Sequence, residues 1–183
     1  MDAPMLRREL RRKLMQAAGL VFVPFGRAGA LALVALIALD VVHLALRRST
    51  GLPGWRRIRQ LGERGEERDI GPILLAAGAA IVLVAVRDRW AWAVLCQLFL
   101  ADSAAAVAGM SMDGPRWPRT HRTLAGSAVF FVIAGIVPLA LGMNLSSAVT
   151  LAAVGTIVEA YSPRGFDNLL IPLADLGVWY GLG

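Results

Sequence analysis

The chain has 183 residues, of which 57% are hydrophobic and 17% charged, with a mean hydropathy of +0.60, a formal net charge of +6 and a pI near 10.9. Apolar residues in long blocks, rather than in amphipathic stripes, exclude an ordinary soluble domain and predict an all-α, polytopic transmembrane helix bundle, one integral membrane domain over 1–183. The basic excess lies in the short connections, where anionic lipid headgroups attract it, so a bilayer and phosphate groups are the expected partners and nucleic acid is not.

In chain order, Arg7, Arg8, Arg11, Arg12 and Lys13 precede the first apolar stretch. Ala28 and Ala30 imitate a leader cleavage site, but hydrophobicity resumes at once, so retained membrane segments are expected. Segment 14–25 is short and interrupted by Gln16 and Pro24; it either crosses a thinned region or enters and returns. Segment 28–46 is a full span in which Asp40 and His43 share a helical face and form a helix-contact pair. The connection 47–70 carries Trp55 among alternating charges and reads as a short interfacial helix. Segments 71–86, 90–109, 124–141 and 145–161 approach the span length of about 20 residues, whereas 168–182 is shorter and contains Asp175. The expected total is about five to seven crossings. Cys96, the single cysteine, lies inside an apolar run and has a packing role, since one thiol makes neither an internal disulfide nor a cysteine metal cluster.

Alternating the segments places sixteen of the nineteen basic residues on one side and leaves Arg27, Arg87 and Arg89 on the other. The positive-inside rule makes the first side cytoplasmic. The expected setting is a bacterial inner (cytoplasmic) membrane with the functional face toward the cytoplasm, and an oligomer is compatible with the pattern.

Three carboxylates reach that side from different helices: Asp102, Glu159 and Asp167. One carboxylate inside a span costs roughly 2.5 to 3.5 kcal/mol on insertion scales, so each implies an offsetting partner or a functional role. Small residues surround Asp102 from Ala101 to Gly109, permitting close helix packing or the approach of a bulky polyanion. In 119–127, Arg119 and Arg122 supply charge, while Thr123, Gly126 and Ser127 supply hydroxyls and close backbone approach at a helix start, a phosphate-holding pattern without a Walker sequence. His121 reads as an ordinary loop histidine. In 159–168, Arg164 can neutralise phosphate, Asn168 can donate and accept hydrogen bonds, Pro163 ends one helix and Gly165 allows the reversal into the next. Hard cations such as Mg²⁺ favour such oxygen ligands and commonly bridge carboxylates to nucleotide phosphates.

Four blocks occur in order: Glu9-Leu10-Arg11-Arg12-Lys13; 101–109 around Asp102; 122–127; and 159–168 followed by Leu169-Leu170-Ile171-Pro172-Leu173. With these blocks the chain resembles the dolichol kinase and phytol kinase family of CTP-dependent membrane lipid kinases and, more distantly, the phosphatidate cytidylyltransferases. It departs from the family pattern at Gln16, where histidine is frequent, at Ala101, where glycine is common, and at Arg122, where lysine is common. The resemblance implies transfer of the γ-phosphate of CTP, a nucleoside triphosphate, to the hydroxyl of an isoprenoid alcohol of polyprenol, dolichol or phytol type. It implies that Asp102 and Asp167 hold Mg²⁺ and the nucleotide phosphates, with Glu159 as a further ligand or the group that positions the alcohol. It likewise implies that Lys13, Arg122 and Arg164 stabilise phosphate charge, and that Thr123, Gly126, Ser127 and Asn168 shape the nucleotide pocket. Two other readings stay open: cytidylyl transfer to a lipid phosphate, and a nonenzymatic small membrane transporter whose carboxylates couple to an ion.

Overall fold

A computed structural model describes Lys13 and residues 18–45, 70–112, 114–163 and 165–182, with the side chains of 40–45 excepted. The basic residues 7–12, Gln16, the connection 47–69, the Asp40 and His43 side chains and Arg164 lie outside the described residues. Among the described residues the protein is helical and has no strand. The elements are a 3₁₀ segment (Ala18–Phe25) and the helices α1 (Gly26–Ala45), α2 (Gly71–Ala85), α3 (Asp88–Ser111), α4 (Leu124–Ala140), α5 (Leu145–Tyr161) and α6 (Asp167–Leu182).

One described helix, α3, with 24 residues, is long and apolar enough to cross a bilayer by itself. By contrast α2 has 15 residues and α4 and α5 have 17 each. At about 1.5 Å per residue, 17 residues reach roughly 26 Å, short of a hydrocarbon core of about 30 Å. Of the expected spans, α3 alone meets this test among the described residues; α1 runs for 20 residues, its last side chains lying outside the described ones, and α2, α4 and α5 are shorter. The caps set these lengths: Asn144 accepts from the Ser147 N–H at 2.7 Å to start α5, and extended Ser162, followed by Pro163, ends it. Gly165, at φ +84°, then turns the chain into α6 in a conformation other residues adopt only at a cost.

The 3₁₀ segment forms the described part, 18–25, of the interrupted stretch 14–25, whose residues 14–17 lie outside the described residues. Lys13 lies beside Asp102, Gly19 faces the Phe99 ring, and Val23 to Phe25 share a cleft with Val86, Arg87 and Asp88 at the start of α3. Over 18–25 the chain therefore runs along α3 from the level of Phe99 toward the start of that helix at Asp88.

Among the described residues three apolar clusters hold the bundle, the smallest of them around Ala93, Met143 and Leu151. In the first, Val23, Leu33, Ala79, Val82, Leu83, Leu95 and Phe99 join the 3₁₀ segment, α1, α2 and α3. In the second, Ala101, Ala105, Phe130, Ala134, Ala152 and Ile171 join α3 to α6. Alanine dominates the second, and the helices close up accordingly: a Cβ added at Gly126 of α4 would lie 2.8 Å from the Ala105 carbonyl oxygen of α3. The outer surface is apolar, with Leu31 71%, Ile136 59% and Ile157 59% exposed, while Asp102 and Glu159 are each 2% exposed. Such an inverted distribution suits lipid surroundings, since a water-facing surface of this kind would be an association site.

Candidate functional site

The buried charges gather at one end of the bundle. Asp102 lies where a π turn, Gln97–Ala101, passes into the last turns of α3; its Oδ2 accepts from Lys13 Nζ, and both side chains are buried. Arg122, immediately before α4, spans the two remaining carboxylates: Nη1 lies 3.0 Å from Glu159 Oε1 on α5, and Nη2 donates to Asp167 Oδ2 at the start of α6. The Arg122 side chain is 15% exposed. Burial by itself would lower the proton affinity of this guanidinium; the charges of Glu159, Asp167 and Asp102 outweigh it and raise the pKa above the ordinary arginine value.

Ser127 completes the group. Its hydroxyl donates to Glu159 Oε2 at 3.2 Å and accepts from the Trp117 indole N–H at 2.9 Å. Trp117 also packs obliquely on Tyr161, with ring centroids 5.6 Å apart. The loop that carries Trp117 is closed by the Trp117 N–H to Arg122 carbonyl bond and the Leu124 N–H to Pro115 carbonyl bond, at 3.0 and 2.9 Å. Its tip turns at Arg119 with φ +63°, a conformation uncommon outside glycine. Backbone closure thus sets where Arg122 and Trp117 emerge above the carboxylates.

Other expected site residues have structural partners. Thr123 caps α4, its Oγ1 accepting from the Gly126 N–H at 3.1 Å, and Gly126 permits the contact with α3. Asn168 donates from Nδ2 to the Gly71 carbonyl at 3.1 Å, tying α6 to the start of α2. Loss of the cap in Thr123→Val should cost about 1 kcal/mol. Thermal unfolding in detergent should show a lowered midpoint, and an unchanged midpoint would remove this hydroxyl from the stability of α4.

Of the expected residues, Lys13, Asp102, Arg122, Ser127, Glu159 and Asp167 come together, with Thr123, Gly126 and Asn168 in the supporting packing. Sequence reasoning misses Trp117 as a site residue; its signal is an aromatic between Pro115 and Pro118 in a basic loop. It also misses Gln97, the lone amide in the apolar run of α3, whose side chain is fully buried.

The donor set consists of hard carboxylate oxygens, which suits Mg²⁺ chemically. Among the described residues, however, no three histidine, cysteine, aspartate or glutamate side chains converge closely enough to hold a metal ion, and each carboxylate is engaged by Lys13 or Arg122. Among the described residues, the three buried carboxylates are met by two cations, Lys13 and Arg122. Asp175, farther along α6 and fully buried, stands apart from this group in sequence by two turns of helix.

Among curated proteins, the chain is 29% identical over 148 residues to dolichol kinase of Bos taurus and to dolichol kinase of Homo sapiens. The match covers 74% of this chain and 24% of each relative, so the chain spans about a quarter of the length of the relatives it matches. No protein-family model matches the chain, and no solved structure matches it.

Proposed function

We propose that the chain is a membrane lipid kinase that transfers the γ-phosphate of CTP to the hydroxyl of an isoprenoid alcohol or related lipid. The observation that carries this reading is the buried set Lys13–Asp102 and Glu159–Arg122–Asp167, drawn from the N-terminal segment, three helices and the loop before α4 to one end of an apolar bundle. The likeness to dolichol kinases, which extends over most of this chain, supports it.

Phosphoryl transfer asks little covalent chemistry of a protein; positioning and electrostatic stabilisation supply most of the rate. In the proposed cycle the nucleotide phosphates draw Lys13 and Arg122 away from their carboxylates, and Arg164, which lies between α5 and α6 in sequence, would add charge. Asp102 and Asp167, thus released, are the residues that would hold Mg²⁺, which would supply charge neutralisation to the phosphates. Ser127, Thr123 and Asn168 line or brace the nucleotide side. The acceptor's hydroxyl oxygen forms a bond to the γ-phosphorus as the bond to the nucleoside diphosphate oxygen breaks, and Glu159 takes the hydroxyl proton. Nucleotide arrives from the cytoplasm and the lipid laterally from the bilayer, so both meet at the rim of the helices.

Purified full chain incubated with Mg²⁺, a panel of lipid alcohols and CTP labelled at the γ-position should yield labelled lipid monophosphate. Label from α-labelled CTP appearing in lipid would instead mean cytidylyl transfer. Folded protein that transfers neither label to any alcohol or lipid phosphate would defeat the reading.

A further inference from the structure

One turn deeper than the charges, three helices supply a second, uncharged layer. On α3 the Asp102 N–H donates to the Gln97 carbonyl, the i to i−5 bond of the π turn, which brings Gln97 almost beneath Asp102. In an uninterrupted α-helix, residues five apart would diverge by about 140° around the axis. On α5, Gly155 lies one turn before Glu159; on α4, Phe130 lies one turn after Ser127. These three residues meet: a Cβ added at Gly155 would overlap Gln97 Oε1 and lie 3.0 Å from Phe130 Cε1. Glycine at 155 is what admits the amide.

Gln97 is 0% exposed, and among the described residues neither its Nε2 nor its Oε1 has a hydrogen-bond partner. Burying an unsatisfied polar group costs about 1–3 kcal/mol, so a side chain kept here calls for a ligand group that satisfies it. The group has a definite chemistry. Phosphate oxygens are matched by Lys13 and Arg122 one layer above, and a hydrocarbon tail offers an amide nothing. A hydroxyl offers both a donor and an acceptor, as the amide does.

We propose that the Gln97 amide, seated against Gly155 and Phe130, is the binding position for the hydroxyl of the lipid acceptor. The amide donates to the hydroxyl oxygen from Nε2 and accepts its hydrogen at Oε1 until that proton passes to a carboxylate above. The π turn stacks this hydroxyl-binding amide under Asp102, so that alcohol and phosphate approach along one face of α3. Calling this hydroxyl the phosphoryl acceptor rests on the lipid-kinase reading; recognition of a lipid hydroxyl does not.

The test uses the full chain in lipid nanodiscs without nucleotide, photolabelled by a diazirine-bearing isoprenoid alcohol. Unlabelled long-chain isoprenoid alcohol should compete about tenfold better than the matching hydrocarbon, the advantage expected of roughly one well-made hydrogen bond. Gln97→Met, similar in volume, and Gly155→Ala, whose Cβ displaces the amide, should each erase that advantage. Because the readout is a ratio within one sample, partial misfolding does not imitate it. In turnover assays Gln97→Met should raise KM for the alcohol about tenfold and leave KM for CTP within about twofold. Retention of the alcohol's advantage in both variants, or its absence in the parent chain, overturns the proposal and leaves water as the amide's partner. A parent chain that prefers the alcohol through Gln97 yet phosphorylates nothing sustains it while defeating the kinase reading.

Discussion

An Arg122→Met chain should melt at a markedly lower temperature than the parent and should phosphorylate no lipid. Arg122 touches Glu159 and Asp167 on two different helices, and removing it leaves two carboxylates buried without their cation. Breaking a buried pair from one side typically costs about 3–5 kcal/mol, because the remaining charge is neither solvated nor compensated. Here one substitution strands two charges. Arg122→Lys should fall between: the charge survives, but one ammonium does not reproduce a planar fork that reaches Oε1 of Glu159 and Oδ2 of Asp167 together. Thermal unfolding in detergent and γ-phosphate transfer read both effects. A parent-like melting temperature in Arg122→Met would show that the bridge contributes nothing to holding α5 and α6.

Asp102→Asn and Asp167→Asn should each reduce lipid phosphorylation by about a hundredfold or more, the loss typical when a group that balances transition-state charge is removed. Insertion should persist, because an amide is cheaper than a carboxylate inside a membrane. The two variants should differ in stability. Asp102→Asn leaves Lys13 without its carboxylate, whereas Asp167→Asn leaves Arg122 still paired with Glu159. Turnover measured beside the membrane-inserted fraction separates chemistry from assembly. Undiminished turnover in either variant would take that carboxylate out of the proposed Mg²⁺ and phosphate machinery.

Asp102 and Glu159 are legible in the sequence because a carboxylate within an apolar run carries a penalty that composition cannot hide. Thr123 is legible as a polar residue at a helix start, and the structure adds that its hydroxyl takes up the Gly126 N–H. Pro163 and Gly165 are legible because proline and glycine act on the chain next to them, and α5 ends and α6 begins around them. Segment 14–25 is ambiguous in sequence, since hydropathy does not distinguish a short span from a 3₁₀ run along a neighbouring helix such as its described part, 18–25, forms. Gln97 is not legible: one amide in an apolar run is ordinary until the π turn and Gly155 give it a setting.

The sequence by itself determined the helical class, the apolar exterior and the candidates for buried charge, because hydropathy and the cost of charge are properties of each residue and its near neighbours. Tertiary structure alone decided that Lys13 joins Asp102 across 89 positions and that Arg122 joins Asp167 across 45. Those pairings depend on how far each helix is rotated about its axis and how closely it approaches the next. Both are set by contacts between alanines and glycines on different helices, which no local window of sequence contains.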